Sequence, residues 1–292
     1  MSLTPKNTVI GFIGTGVMGK SMAGHLLKAG YSLKVYNRTK AKAQELLEQG
    51  ALWSEKVAEL AAECQVIITM IGYPKDVEAI YFGNDGLLYN AKPGTYLLDM
   101  TTSSPELAVR IEQAAKAKSL QALDAPVSGG DVGAKEARLA IMVGGESEAF
   151  AAVRPILELM GKNIVLQGPA GAGQHTKMCN QIAIAANMMG VCEAMAYAQK
   201  AGLDPKVVLQ SIETGAAGSW SLSNLAPRML AGNFEPGFYI KHFIKDMRIA
   251  IESAQQMGLN TPALDLAVKL YEQLAAQGEE NSGTQALFKY YR

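Results

Sequence analysis

Apolar residues in the first half of the chain fall into short β-branched runs separated by stretches with helical spacing. The runs are Val9-Ile10-Gly11-Phe12-Ile13, Ser32-Leu33-Lys34-Val35-Tyr36, Val66-Ile67-Ile68-Thr69-Met70, Tyr96-Leu97-Leu98-Asp99 and Leu120-Gln121-Ala122-Leu123-Asp124. Leu139-Ala140-Ile141-Met142-Val143 reads as a further strand and Ile164-Val165-Leu166 as the last. Helical patterns over 20–29 and 41–48 lie between them. This alternation predicts a parallel sheet with helices on both faces, and near-continuous apolar strands fit burial on both sides. From about Gly168 no convincing strand follows. One helix is predicted over 174–201, about 28 residues or ~42 Å at 1.5 Å per residue. Gly202-Leu203-Asp204-Pro205 stops it and starts the next, and helical patterns follow at 205–214, 222–231, 240–257 and 261–277. The pattern predicts an α/β domain over residues 1–167 and an all-α C-terminal domain over 168–292, joined by the long helix.

Length agrees, since 292 residues exceed one comfortable core and domains cluster near ~150. Hydrophobic residues make up 49%, ample for burial. Twenty-seven basic residues balance 27 acidic ones, which argues against a nucleic-acid-coating protein. The longest apolar stretch, residues 178–198, contains Asn180, Gln181, Asn187 and Glu193, so it reads as a soluble helix and not a membrane span. Cys64, Cys179 and Cys192 form no CxxC pair and read as three reduced, buried thiols of a cytoplasmic protein. Met1 to Thr8 reads as a polar lead-in without a secretory signal. Three histidines, none in HExxH-like spacing, predict no metal site.

Gly14-Thr15-Gly16-Val17-Met18-Gly19 matches GxGxxG, directly after the run 9–13 and directly before the helical pattern 20–29. That context is the dinucleotide fingerprint. Gly14 is expected to allow the tight turn, Gly16 to let the backbone approach a pyrophosphate, and Gly19 to permit close helix–strand packing. The pyrophosphate then sits on free N–H groups at a helix N-terminus. The second strand leads into Asn37-Arg38-Thr39. A ribose-binding Asp or Glu is usual here. Neutral Asn37 does not repel a 2′-phosphate, Arg38 supplies a planar donor fork, and Lys40 and Lys42 add charge. NADP is therefore expected to be preferred, with NAD as the alternative.

Gly11 to Ala23 resembles the opening signature of the 3-hydroxyisobutyrate dehydrogenase, or β-hydroxyacid dehydrogenase, family. Three further motifs agree in order and spacing. Asp99-Met100-Thr101-Thr102-Ser103-Ser104-Pro105 resembles the loop beside the nicotinamide ring. Asp124-Ala125-Pro126-Val127-Ser128-Gly129-Gly130 is similar to the substrate-binding segment. Gly171-Ala172-Gly173-Gln174-His175-Thr176-Lys177 looks like the catalytic GxGxxxK helix. Lys245-Asp246 matches a further family pair. The Asn180-Gln181 pairing after the lysine resembles the tartronate semialdehyde reductase branch and departs from the glyoxylate/succinic semialdehyde reductase pattern.

The resemblance implies a Rossmann domain joined by a long helix to a helical domain, and interconversion of a small β-hydroxy acid with its semialdehyde or keto acid. It implies Lys177 as general acid/base and Asn180 on the same helix face orienting the substrate. Ser128, Gly129 and Gly130 suit carboxylate capture, because glycines uncover backbone N–H groups. Thr102, Lys245 and Met70 are expected on the cofactor, with Asp246 holding Lys245 or forming an ordinary surface pair. The expected partners are a small carboxylate substrate and further copies of the chain, in a homodimer or homotetramer. An imine reductase is the alternative enzyme, disfavoured by Lys177 because that group usually carries Asp or Tyr there. A non-catalytic NADP-binding interaction module is the alternative outside catalysis.

Overall fold

A computed structural model describes residues 3–291, so the first two residues of the polar lead-in and the final arginine lie outside the described residues. The β-branched runs form strands β1 (Val9–Ile13), β2 (Ser32–Tyr36), β4 (Val66–Thr69), β5 (Tyr96–Asp99), β6 (Gln121–Asp124), β8 (Leu139–Gly144) and β9 (Gly161–Gly168). Two strands of two residues each, β3 (Leu52–Trp53) and β7 (Val127–Ser128), complete one sheet in the order β3-β2-β1-β4-β5-β6-β8-β7, with β9 paired to β8. Alternate side chains pass to opposite faces. Ile10, Phe12, Ile68 and Leu98 join one buried cluster, and Ile13, Ile67 and Leu97 join the other. Both faces are thus covered, which is why the strands are apolar throughout.

The sheet is not all parallel. β1 through β6 pair in parallel, but β8 runs antiparallel to β6 and β7 and parallel to β9. The chain reverses between β7 and β8, across the helix Gly130–Lys135, whereas the helix Ser147–Leu157 gives β8 and β9 a crossover that keeps them parallel. β1 lies between β2 and β4, the position where strand order reverses and where ligands bind beyond the strand ends.

The chain divides into two compact units, the first ending at Lys177 and the second starting at Met178. The division falls inside the long helix Ala172–Lys200, ten residues after the expected boundary at 167. In the second unit, Asp204 accepts a hydrogen bond from the Lys206 N–H and Pro205 opens the helix Pro205–Ile212. The single helix expected over 222–231 is two, Trp220–Asn224 and Ala226–Leu230. Pro227 cannot donate to a preceding turn, so the helix restarts around it. The pattern over 261–277 becomes the α-helix Pro262–Leu274 followed by a wider turn in which Gly278 has φ +92°. Met188, Cys192, Met195, Met229, Phe243, Met247, Tyr271 and Phe288 fill this unit's core. No helix among the described residues is long and apolar enough to cross a membrane.

Candidate active site

The glycine turn is shaped by three separate requirements. Gly14 has φ +101°, a conformation that L side chains rarely adopt, and a Cβ there would overlap the Met70 carbonyl. A Cβ on Gly19 would overlap the Gly14 carbonyl oxygen, so the helix Val17–Lys28 can approach the strand only as glycine. At Gly16 a Cβ would meet nothing within 4 Å, which leaves the backbone open to an incoming group. The first helical turn, which includes Val17 and Met18, carries no acidic residue. Thr15 is 2% exposed, and its hydroxyl oxygen has no hydrogen-bond partner in the structure. A buried orphan hydroxyl, an open glycine and a helix N-terminus fit the pyrophosphate of a nicotinamide dinucleotide.

Asn37 serves the turn itself. Its Oδ1 accepts the Thr15 N–H at 3.1 Å and its Nδ2 donates to the Thr39 carbonyl at 2.8 Å. Arg38 is 87% exposed, with Asp76 3.8 Å away. Lys40 is ion-paired with Glu55 at 3.0 Å and lies over the Trp53 ring. Of the expected basic cluster, Lys40 is therefore already partly neutralised.

Two buried carboxylates organise the far side of the sheet's C-terminal edge. Asp99 Oδ1 accepts the Thr69 hydroxyl at 2.8 Å and the Thr101 N–H at 3.1 Å. Burial pushes the Asp99 carboxyl up to about 6, against the hydrogen bonds from Thr69 and Thr101 that pull it down. Asp124 Oδ1 accepts the Gly171 N–H and its Oδ2 the Gln174 N–H, both at 2.8 Å. It thus caps the long helix from 47 residues earlier in sequence. Burial raises the Asp124 carboxyl too, opposed by those backbone N–H groups. The cap needs room. A Cβ on Gly144 would lie 2.5 Å from Asp124 Oδ1, and one on Gly173 would lie 2.8 Å from the Asp124 carbonyl. This explains both glycines of Gly171-Ala172-Gly173, since Gly171 has φ +88°. One turn on comes Lys177, only 6% exposed; His175 is exposed on another face.

Asn180 belongs to a chain of amides. Its Nδ2 donates to Gln181 Oε1 at 2.7 Å, Gln181 Nε2 donates to Asp246 Oδ2 at 2.7 Å, and Asp246 Oδ1 pairs with Lys245 Nζ at 2.6 Å. Because a carboxylate only accepts, Asp246 fixes which way both amides point. Gln181 and Asp246 are essentially buried, so Lys245-Asp246 is not an ordinary surface pair. Ser128 is half-buried at the end of β7, and Gly129 and Gly130 follow with φ +131° and +62°. The sequence reading missed the cap by Asp124 and the buried tie made by Gln174, described below. The local signal was an Asp ending a strand and a GxG opening a helix without its own Ser, Thr, Asp or Asn cap.

Cys64 and Cys192 are buried as expected, and burial pushes the Cys64 thiol up to about 12 and the Cys192 thiol higher still; Cys179, expected to be buried, is instead exposed, because its position on the long helix faces away from the core. No group of three or more His, Cys, Asp or Glu that could hold a metal occurs among the described residues.

A doubly wound sheet, a dinucleotide-shaped glycine turn and a helical second unit define a nicotinamide-dependent dehydrogenase. Profiles of two families match: the NAD binding domain of 6-phosphogluconate dehydrogenase over residues 9–168, and the NAD-binding domain of NADP-dependent 3-hydroxyisobutyrate dehydrogenase over 171–291. The chain is 67% identical to the uncharacterized oxidoreductase YkwC of Bacillus subtilis, across 97% of this chain and 98% of that one. It is 39% identical to an NAD-dependent L-serine dehydrogenase of Pseudomonas aeruginosa, across 92% and 93%. The solved structure of the Mycobacterium tuberculosis 3-hydroxyisobutyrate dehydrogenase with L-serine superposes with a TM-score of 0.89 at 30% identity, covering 98% of this chain and 99% of that one. The chain belongs to the 3-hydroxyisobutyrate dehydrogenase family of NAD(P)-dependent β-hydroxyacid oxidoreductases.

Proposed function

We propose that this chain interconverts a small β-hydroxy acid and its semialdehyde with NADP(H) preferred, using Lys177 to move the hydroxyl proton. The observation that carries the reading is the buried lysine one turn into a helix whose start is fixed by Asp124. A bound nicotinamide dinucleotide supplies the hydride acceptor for oxidation and the hydride donor for reduction. In oxidation, neutral Lys177 Nζ takes the proton from the substrate hydroxyl; in reduction, the ammonium returns it to the carbonyl oxygen. Asn180, held in one orientation through Gln181 and Asp246, orients the substrate oxygen. Ser128 and the backbone of Gly129 and Gly130 bind its carboxylate. Arg38 binds the 2′-phosphate that distinguishes NADP, and the neutral Asn37 leaves that position free of a repelling charge. Thr15, Gly16, Val17 and Met18 take the pyrophosphate, with Thr39, Met70, Thr102 and Lys245 as further cofactor contacts.

The three reduced cysteines support a cytoplasmic setting. Exposed Tyr197, Leu203, Val207 and Trp220 on the helical unit support a homodimer or homotetramer.

Steady-state assays test the reading. Purified protein is offered tartronate, methylmalonate and succinic semialdehydes and glyoxylate with NADPH or NADH, and L-serine and 3-hydroxyisobutyrate in the reverse direction. NADPH is expected to give the higher kcat/KM, and Arg38→Ala to erase the difference. Lys177→Ala is expected to lower kcat by ~10²–10⁴-fold with NADPH affinity retained. Near-normal turnover by Lys177→Ala, or a clear NADH preference, overturns the corresponding assignment.

A further inference from the structure

Gln174 is fully buried, and its carboxamide is committed to the backbone of one loop. Oε1 accepts the Ser103 N–H at 2.9 Å, and Nε2 donates to the Thr101 carbonyl at 2.8 Å. Those two backbone groups flank Thr102. An N–H only donates and a carbonyl only accepts, so the amide fits in one orientation. The main chain of Gln174 is held as well, by Asp124 Oδ2. The loop is tied from its other side. Thr101 donates its N–H to Asp99 Oδ1, and its Oγ1 accepts the Ile71 N–H at 3.0 Å. Three residues beyond Gln174, on the same helical face, is Lys177.

We propose that Gln174 is a positioning residue for the reaction, setting the Thr102 loop and the Lys177 amine in one fixed frame. The inference rests on Lys177 as the proton carrier and Thr102 as a cofactor contact. A buried side chain that bonds both backbone groups around one loop residue, one turn from the proton carrier, couples the place of hydride transfer to the place of proton transfer. Displacements of ~1 Å between reacting groups cost ~10²-fold in rate, so the tie governs turnover more than substrate affinity.

Two substitutions test this. In Gln174→Glu the protonated carboxyl reproduces both bonds, its C=O accepting from Ser103 and its O–H donating to Thr101. Once ionised, it sets a negative charge against the Thr101 carbonyl. Burial keeps that carboxyl protonated above the usual carboxylate range. Gln174→Glu is therefore expected to keep near-normal kcat at acid pH and to lose ~10²-fold as the carboxyl ionises. This adds a further descending limb to the profile of the unmodified protein. Gln174→Leu is expected to be slow at every pH, with KM changing less than kcat. Hydrogen exchange at the Ser103 amide of the cofactor-free protein gives a readout independent of turnover. The amide is expected to be protected in the unmodified protein, fast-exchanging in Gln174→Leu, and protected in Gln174→Glu only at acid pH. Wild-type kcat in Gln174→Leu overturns the proposal, as do equal losses in both variants at every pH. Near-normal turnover by Lys177→Ala with Ser103 still protected by Gln174 overturns the functional reading on which the proposal rests, and is told apart by that protection.

Discussion

Asp124 offers a direct test of how the active-site helix is held. Its side chain is 4% exposed and receives two N–H groups at 2.8 Å each. Asp124→Ala removes both acceptors and leaves two buried N–H groups without partners, at ~1–3 kcal/mol each, or about 4 kcal/mol together. Asp124→Asn keeps one carbonyl oxygen for one of them. The amide also escapes the burial that raises the carboxyl, so its net loss is about 1 kcal/mol. At ~2–4 °C of Tm per kcal/mol for a unit of this size, Ala is expected to lower Tm by ~8–16 °C and Asn by ~2–4 °C. The assay is calorimetry of the cofactor-free protein, with kcat measured alongside. Because the folded carboxyl is raised, its linked stability is full at acid pH and is lost as pH rises through its titration. The unmodified protein therefore gains on Asp124→Asn as pH falls. If Ala and Asn both melt within ~2 °C of the unmodified protein, or Asn melts lower than Ala, the cap does not hold the helix.

Other substitutions probe the remaining features. Gly19→Ala places a methyl against the Gly14 carbonyl, and about 1–3 kcal/mol of overpacking is expected to weaken NADPH binding by ~5- to 150-fold by fluorescence titration; an unchanged Kd refutes the packing role. Asp99 titrates at about 6 in the folded chain, so its linked stability is full below ~4 and is lost as pH rises through 6. The melting temperature of the unmodified protein is expected to fall relative to Asp99→Asn across that window and to run parallel above it; parallel curves throughout refute the shift. Asp246→Ala removes the Lys245 ion pair and the buried acceptor of the Gln181 amide, and about 3 kcal/mol is expected to be lost, with a lower Tm and a raised substrate KM; unchanged values refute the relay.

How much of this was legible depended on the range of each interaction. The glycine turn could be read because all its determinants lie within one strand–turn–helix. Lys177 and Asn180 fall on one face by helical spacing alone. β3 and β7, at two residues each, are too short for any hydrophobic alternation to register. The reversal of β8 was invisible because a side-chain period of two is the same in either direction. The break at Pro227 was legible in principle, but the flanking apolar spacing ran through it. Gln174 contacts Ser103 and Thr101 across more than 70 residues, and the tie has no local pattern. The sequence leaves Asp246 open between a tie to Lys245 and a surface pair, because only its neighbours in space show that it is buried.

The three cysteines carry a practical consequence. Thiol reagents attack the thiolate, and burial suppresses it at Cys64 and Cys192 while Cys179 stands exposed. A maleimide dye or nitroxide therefore marks the folded chain at Cys179 alone. That label sits two residues from Lys177, so the unaltered sequence already contains an attachment point for following the catalytic helix by fluorescence or electron spin resonance.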